Sequence, residues 1–150
     1  MLTNKFLTYS SYVARHKWYV FLECKKYGLW FRGIFYDNSK FRPSEFFAYA
    51  EKFFSGDYAY KYSEVEHAFE KAWLHHEHRN GHHWGYWVNS KGRPLRMPRQ
   101  YIIEMICDWK AMGRRFNDTA REFYEKDKGK MILHEDTIKE LEDILDVKTI

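Results

Sequence analysis

Cysteine is nearly absent from this 150-residue chain: there are two, Cys24 and Cys107, and no CxxC spacing. Such a pair excludes a thiolate zinc site or a disulfide framework, and reads as two reduced, buried side chains of a cytoplasmic protein. Proline is scarce too, at three residues, so few positions forbid a helix. No run approaches the roughly 18 apolar residues of a membrane span. The opening Met1-Leu-Thr-Asn-Lys-Phe-Leu-Thr8 lacks the apolar core of a signal peptide, so no membrane partner is expected. Charge of one sign is lacking as well: 25 Lys and Arg against 21 Asp and Glu leave +4. That balance tolerates an anionic small molecule but does not by itself point to nucleic acid.

What the chain does have is aromatic rings. They make up 20 % of residues within a 45 % hydrophobic composition, which argues for a folded chain with a ring-lined core or pocket. The length fits one domain, 1–150. Helix punctuation recurs along it. Ser10 or Ser11 is placed to cap a first helix that Gly28 ends, and a shorter segment spans Leu29 to Tyr36 before the turn residues Asp37-Asn-Ser39. Pro43-Ser44 opens a helix to about Phe54, closed by Ser55-Gly-Asp57. Ser63-x-x-Glu66, Thr119-x-x-Glu122 and Thr137-x-x-Glu140 are capping-box patterns, and Asn80-Gly81 is a left-handed stop. Residues 84–96 read as a loop with a hairpin around Asn89–Gly92. Pro98 starts a helix through Met112 that Gly113 ends, with Ile102, Met105, Ile106 and Trp109 as its apolar stripe. The fold class is all-α, a single-domain helical bundle.

The stretch Trp73-Leu-His-His-Glu-His-Arg-Asn-Gly-His-His-Trp84 holds five of the eight histidines, at 75, 76, 78, 82 and 83. Packing does not ask for five imidazoles, whereas neutral imidazole is the commonest protein metal ligand. On a continuous helix His75, His78 and His82 would share a face, and so would the pair His76 and His83; Asn80-Gly81 leaves both registers open. Acids and a histidine in apolar surroundings stand elsewhere: His16 among aromatics, Asp37 after Phe35-Tyr36, and Asp108 between Ile106 and Trp109, with Glu104 one turn earlier. Carboxylates so placed need a cation or strong donors. Their bland readings are a core histidine, a turn acid and a helix-to-helix ion pair, with His67 and His134 as ordinary histidines.

The order of these residues resembles the HD-domain superfamily, all-helical metal-dependent phosphohydrolases with the pattern H…HD…(H…H)…D. The segments Asp37-Asn-Ser-Lys-Phe41, Ala72 to Trp84, Met97-Pro98 and Glu104-Met-Ile-Cys-Asp-Trp109 look more closely like an uncharacterised bacterial and phage family with the motifs HDxSKF, HHxxxNxHHxxY and EMxxDW. The likeness covers roughly residues 10–145. It implies an HD-like bundle holding a divalent transition metal (Mn, Fe, Ni, Co or Zn) with His16, Asp37, His76, one of His82 and His83, and Asp108. With His83 as the ligand, His82 would join Lys40 and Arg79 in handling substrate, and Glu104 would act behind the ligands. The implied activity is hydrolysis of a nucleotide or another small phosphoester. One position departs: Tyr36 stands where the pattern has the His of HD. A neutral phenol is a poor ligand, which keeps open a non-enzymatic, phage-type effector acting on a host protein or nucleic acid through Arg93, Arg96, Arg99, Arg114 and Arg115. A structural role for the histidines is the third reading.

Overall fold

Seven α-helices and three short 3-10 turns make up the described part of the chain in a computed structural model that describes residues 2–56 and 62–147. They are α1 (Leu2–Lys26), α2 (Trp30–Phe35), α3 (Pro43–Phe54), α4 (Tyr62–Glu77), α5 (Arg99–Phe116), α6 (Ala120–Asp127) and α7 (Glu135–Leu145). Among the described residues the only β pairing is an isolated bridge, Val88 to Pro94. The expected all-α bundle is what forms. No helix of the described residues is long and apolar enough to cross a membrane.

The bundle is built around α5, which buries two faces. Ile102, Met105, Ile106 and Trp109 pack with Met97, Ala120, Tyr124 and Leu141 towards α6 and α7. Ile103, Cys107 and Ala111 pack with Val20, Cys24 and Tyr36 towards α1 and α2. A third cluster, Tyr9, Val13, Tyr49, Ala50 and Ala72, joins α1, α3 and α4. Both cysteines are free and buried in the second cluster.

Several element ends differ from the expected ones. The first helix runs from Leu2, so Ser10 and Ser11 lie in its interior rather than at its cap; Gly28, at φ 74°, does end it. Ser63 falls inside α4, which already includes Tyr62. The Ser55-Gly56 exit of α3 is present, with Gly56 at φ 77°, and Asp57 lies outside the described residues. Asn80-Gly81 is no left-handed stop. Helix α4 ends at Glu77, the Asn80 amide folds back to the His76 carbonyl at 2.7 Å, and Gly81 is small because the Tyr101 ring sits where its side chain would be. Gly113 likewise does not end α5. The helix continues to Phe116 and closes on left-handed Asn117, while Gly113 makes room for the Asp118 carbonyl. The capping box at Thr119 and Glu122 forms in full. At α7 His134 is the cap, its Nδ1 accepting from Asp136 N, and Thr137 is buried and accepts from Met97 N at 2.9 Å. In the loop before α5, Asn89 Oδ1 accepts from Lys91 N and Arg93 N, closing the expected hairpin turn.

Candidate metal centre

Three short stretches converge between α3, α4 and α5. Asp37 leaves α2 in the left-handed conformation (φ 49°), which an Asp tolerates better than most side chains, and this turns its carboxylate inward. His76 comes from the last turn of α4. His82 and His83 follow it on the loop that the Asn80 back-bond folds over the helix end.

Asp37, His76, His82 and His83 each offer one ligand atom to a group whose members all lie within 4.8 Å of one another. Asp37 Oδ1 stands 3.5 Å from His76 Nε2 and 3.3 Å from His82 Nε2. None of these contacts has the alignment of a hydrogen bond, and the Nε2 atoms of all three histidines are buried without a hydrogen-bond partner. Buried polar atoms are seldom left so. For His76, Glu45 shows why. Its carboxylate, fully buried in the first turn of α3, lies 2.9 Å from His76 Nδ1, 3.0 Å from His75 Nδ1 and 2.9 Å from the Ser39 hydroxyl that donates to it. An ionised carboxylate only accepts, so His76 carries its proton on Nδ1 and presents a bare Nε2 lone pair to Asp37. An acceptor facing an acceptor is satisfied by a cation between them.

The ionisation states fit the same picture. Burial lowers His82 to about 4 and, with His82 beside it, holds His83 well below the usual imidazole range. Near neutral pH both are uncharged, the state in which imidazole binds metal. Burial pushes Asp37 up, but Lys40 and the three histidines outweigh it and keep the carboxyl ionised. Lys40 Nζ is 2.5 Å from Asp37 Oδ2, and Asp37 with Asp108 holds the ammonium above its ordinary range against burial. Oxygen and imidazole donors without thiolate are the set that suits Mn, Fe, Co, Ni or Zn.

His16 and Asp108, the outermost residues of the expected ligand set, instead face each other, Nε2 to Oδ1 at 2.8 Å, across the α1–α5 contact. Burial raises the Asp108 carboxyl, but its bond to His16 prevails and holds it well below the usual range. Tyr36 joins this pair to the cluster. Its hydroxyl is 3.3 Å from His16 Nε2, and its ring lies 4.7 Å from that of His82. Burial, then Asp108 and Asp37, raise its pKa well above the normal phenol value, so it stays a protonated donor between the two acids. Glu104 stands behind His82, its Oε1 3.8 Å from Nδ1, while Oε2 takes two bonds from Arg32 at 2.6 and 2.8 Å.

The two expected phosphate-gripping residues are not brought together. Lys40 borders a cavity of about 650 Å³ shared with His16, His82, His83 and Asp108. Arg79 is exposed and borders a smaller space, about 360 Å³, on the other side of Tyr36, Asp37 and His82. His75 is drawn into the Glu45 network, and His78 is exposed. Of the five arginines read as a basic group, Arg99 pairs with Glu140, Arg114 with Glu23, and Arg115 lies over the rings of Tyr12 and Phe116. Glu45 and Arg32 were not legible from the sequence, and Ser39 stood out there only as a turn and motif residue. Glu45 looks there like the usual solvated acid of a helix's first turn, and its one signal is Tyr49 a turn later on the buried face.

The family model described as "Family of unknown function (DUF5662)" matches residues 5–147 of the chain. No curated protein and no solved structure matches it. The chain therefore belongs to that family of unknown function, in keeping with the expectation of an uncharacterised domain family.

Proposed function

We propose that this family member is a metal-binding protein whose Asp37, His76, His82 and His83 hold a divalent transition ion, and that it uses the ion to hydrolyse a small phosphoester. The observation that carries the first half is the set of buried Nε2 atoms without partners facing the carboxylate of Asp37. A bound divalent ion would supply Lewis acidity towards a phosphoryl oxygen and a lowered pKa for water. The chain's own residues would do the rest. Glu45 fixes the tautomer and ring of His76, Arg32 through Glu104 steadies the side of the site occupied by His82, and Lys40 presents a positive charge to the cavity. The His16–Asp108 pair at the cavity wall is placed to move a proton: the imidazole is held by the carboxylate and borders the same space. Support for phosphoester chemistry is the resemblance in residue order to the HD-domain hydrolases, together with this pocket of small-molecule size.

The test is metal content by mass spectrometry on protein purified without a histidine tag, beside His76→Ala and His82→Ala. About one equivalent in the wild type, lost in both variants, is the expected result, followed by turnover of a phosphomonoester panel that depends on that metal. No metal after reconstitution with Mn, Fe, Co, Ni and Zn would overturn the reading. A second reading, a metal-loaded protein that binds phosphoesters without cleaving them, is favoured by one observation: the ring against His82 is Tyr36, a protonated phenol, where the HD pattern that the sequence resembles would have a histidine. Metal uptake with no turnover in the wild type, and turnover gained in Tyr36→His, would select it.

A further inference from the structure

Tyr9 and Tyr49 are both buried, at 1 % and 6 % exposure, and both border the cavity that reaches His82, His83 and Asp108. Their ring centroids lie 6.3 Å apart with the planes inclined by 27°, one from α1 and one from α3. Neither hydroxyl has a hydrogen-bond partner. Packing alone does not account for two such groups, because phenylalanine would fill the same space without the cost of burying an idle hydroxyl. The third cluster has phenylalanines at hand, with Phe46, Phe54 and Phe69 packed beside these tyrosines. Tyr12, which borders the same cavity, is different: its hydroxyl donates to Met112 Sδ at 3.5 Å.

The neighbouring charges say what the two hydroxyls face. Lys40 borders the cavity with them, and its ammonium acts on both phenols. Burial keeps both hydroxyls protonated, above the usual phenol range, so they are donors at any ordinary pH. The acids acting on them, Asp37 and Glu45, are already engaged, the first by Lys40 and the histidine group, the second by His75, His76 and Ser39. The acids that border the cavity itself are Asp108, bound to His16, and Glu77 and Asp118. Two neutral donors and one ammonium beside a cation-binding cluster form a receptor for an oxyanion. Three donors on separate side chains suit the several oxygens of a tetrahedral phosphoryl group better than a flat carboxylate.

We propose that Tyr9, Tyr49 and Lys40 form a phosphoryl-binding subsite at the inner wall of this cavity, next to the metal cluster. The inference deepens the phosphoester reading and rests on it for its place beside the metal. The apolar rings of Phe53, Phe69, Trp73 and Trp84 border the same cavity and would take the remainder of an organic phosphate.

The test is calorimetric titration of inorganic phosphate into the full chain as isolated, with metal content measured on the same samples. The variants are Tyr9→Phe with Tyr49→Phe, and Tyr12→Phe as the control whose hydroxyl is already used. The expected result is saturable phosphate binding, weakened at least tenfold in the double variant and unchanged in the control, with equal metal content and no lower melting temperature in all three. Phosphate binding that is absent from the wild type, or equal in the double variant, overturns the subsite. So does a double variant that binds phosphate normally but melts lower, since the hydroxyls would then be structural. Metal content reports separately on the cluster. Protein that takes up no metal even on reconstitution, yet whose phosphate affinity still falls in the double variant, would sink the metal reading and keep the subsite.

Discussion

Glu45 decides the chemistry of the cluster without being part of it. By accepting from Nδ1 it forces the His76 lone pair onto Nε2, and a carboxylate behind a ligating imidazole also raises its basicity. Glu45→Gln keeps the shape but removes the acceptor-only charge, so metal affinity should drop roughly 10- to 100-fold, read by competition with a chromogenic chelator. An unchanged affinity would mean that His76 needs no orientation. His82 carries the pH dependence. Its pKa of about 4 in the folded chain lies below the 6.5 of a free imidazole, so between those values the unfolded chain binds more protons than the folded one. Stability of the metal-free protein should therefore be flat above about pH 6.5 and fall as pH drops towards 4. The loss is on the order of 3 kcal/mol for this one group, with His83 acting in the same direction. Urea midpoints of chelator-treated protein at pH 7.5 and 5 check it; equal midpoints would contradict the neutral buried imidazoles. Residue types were the legible part of this site. The histidine excess and the apolar settings of Asp37 and Asp108 stand out in the sequence, whereas the partner that sets a tautomer comes from 31 residues away.

Elements were legible where their cause is local and were missed where it is tertiary. Pro43, Gly28 and the Thr119–Glu122 box act within a few residues and mark real ends. Gly81, Gly113 and Thr137 looked like local punctuation too. Each is instead held by something distant or outside its own helix: a tyrosine ring of α5, the carbonyl of Asp118, and the backbone N–H of Met97. Gly113 offers the sharpest test. A Cβ there would lie 2.2 Å from the Asp118 carbonyl oxygen, which is backbone and cannot swing aside. Gly113→Ala should gain helix propensity of about 1 kcal/mol, yet lose more to the clash, since overpacking costs about 1–3 kcal/mol. Chemical denaturation should show net destabilisation; a stabilised variant would mean that the α5–α6 turn has room to relax.

At the scale of the molecule, the proposed ligands join segments that the rest of the fold leaves to loops. Asp37 follows α2, His76 closes α4, and His82 and His83 sit on the way to α5. An ion binding all four would bind only the folded chain, so its free energy adds to stability. At a hundredfold excess over the dissociation constant this is about 2.7 kcal/mol, or some 5–10 °C in melting temperature for a chain of this size. Thermal melts with and without the preferred ion measure it, and no shift with any of the five metals would contradict the site. This convergence is what a sequence hides, because order along the chain says nothing of which faces meet: His16 and Asp108, expected beside the others, are found bound to each other. One contact in the cluster also gives the molecule an optical property. The indole of Trp73 lies 5.2 Å from the ring of His83 and 6.0 Å from that of His76. An excited indole at that range of a paramagnetic ion returns to its ground state without emitting. Ni or Co should therefore dim part of the chain's intrinsic fluorescence, Zn should not, and Trp73→Phe should shrink the difference and leave the share of Trp84, which borders the same cavity, so that the protein reports its own occupancy in a cuvette without any label.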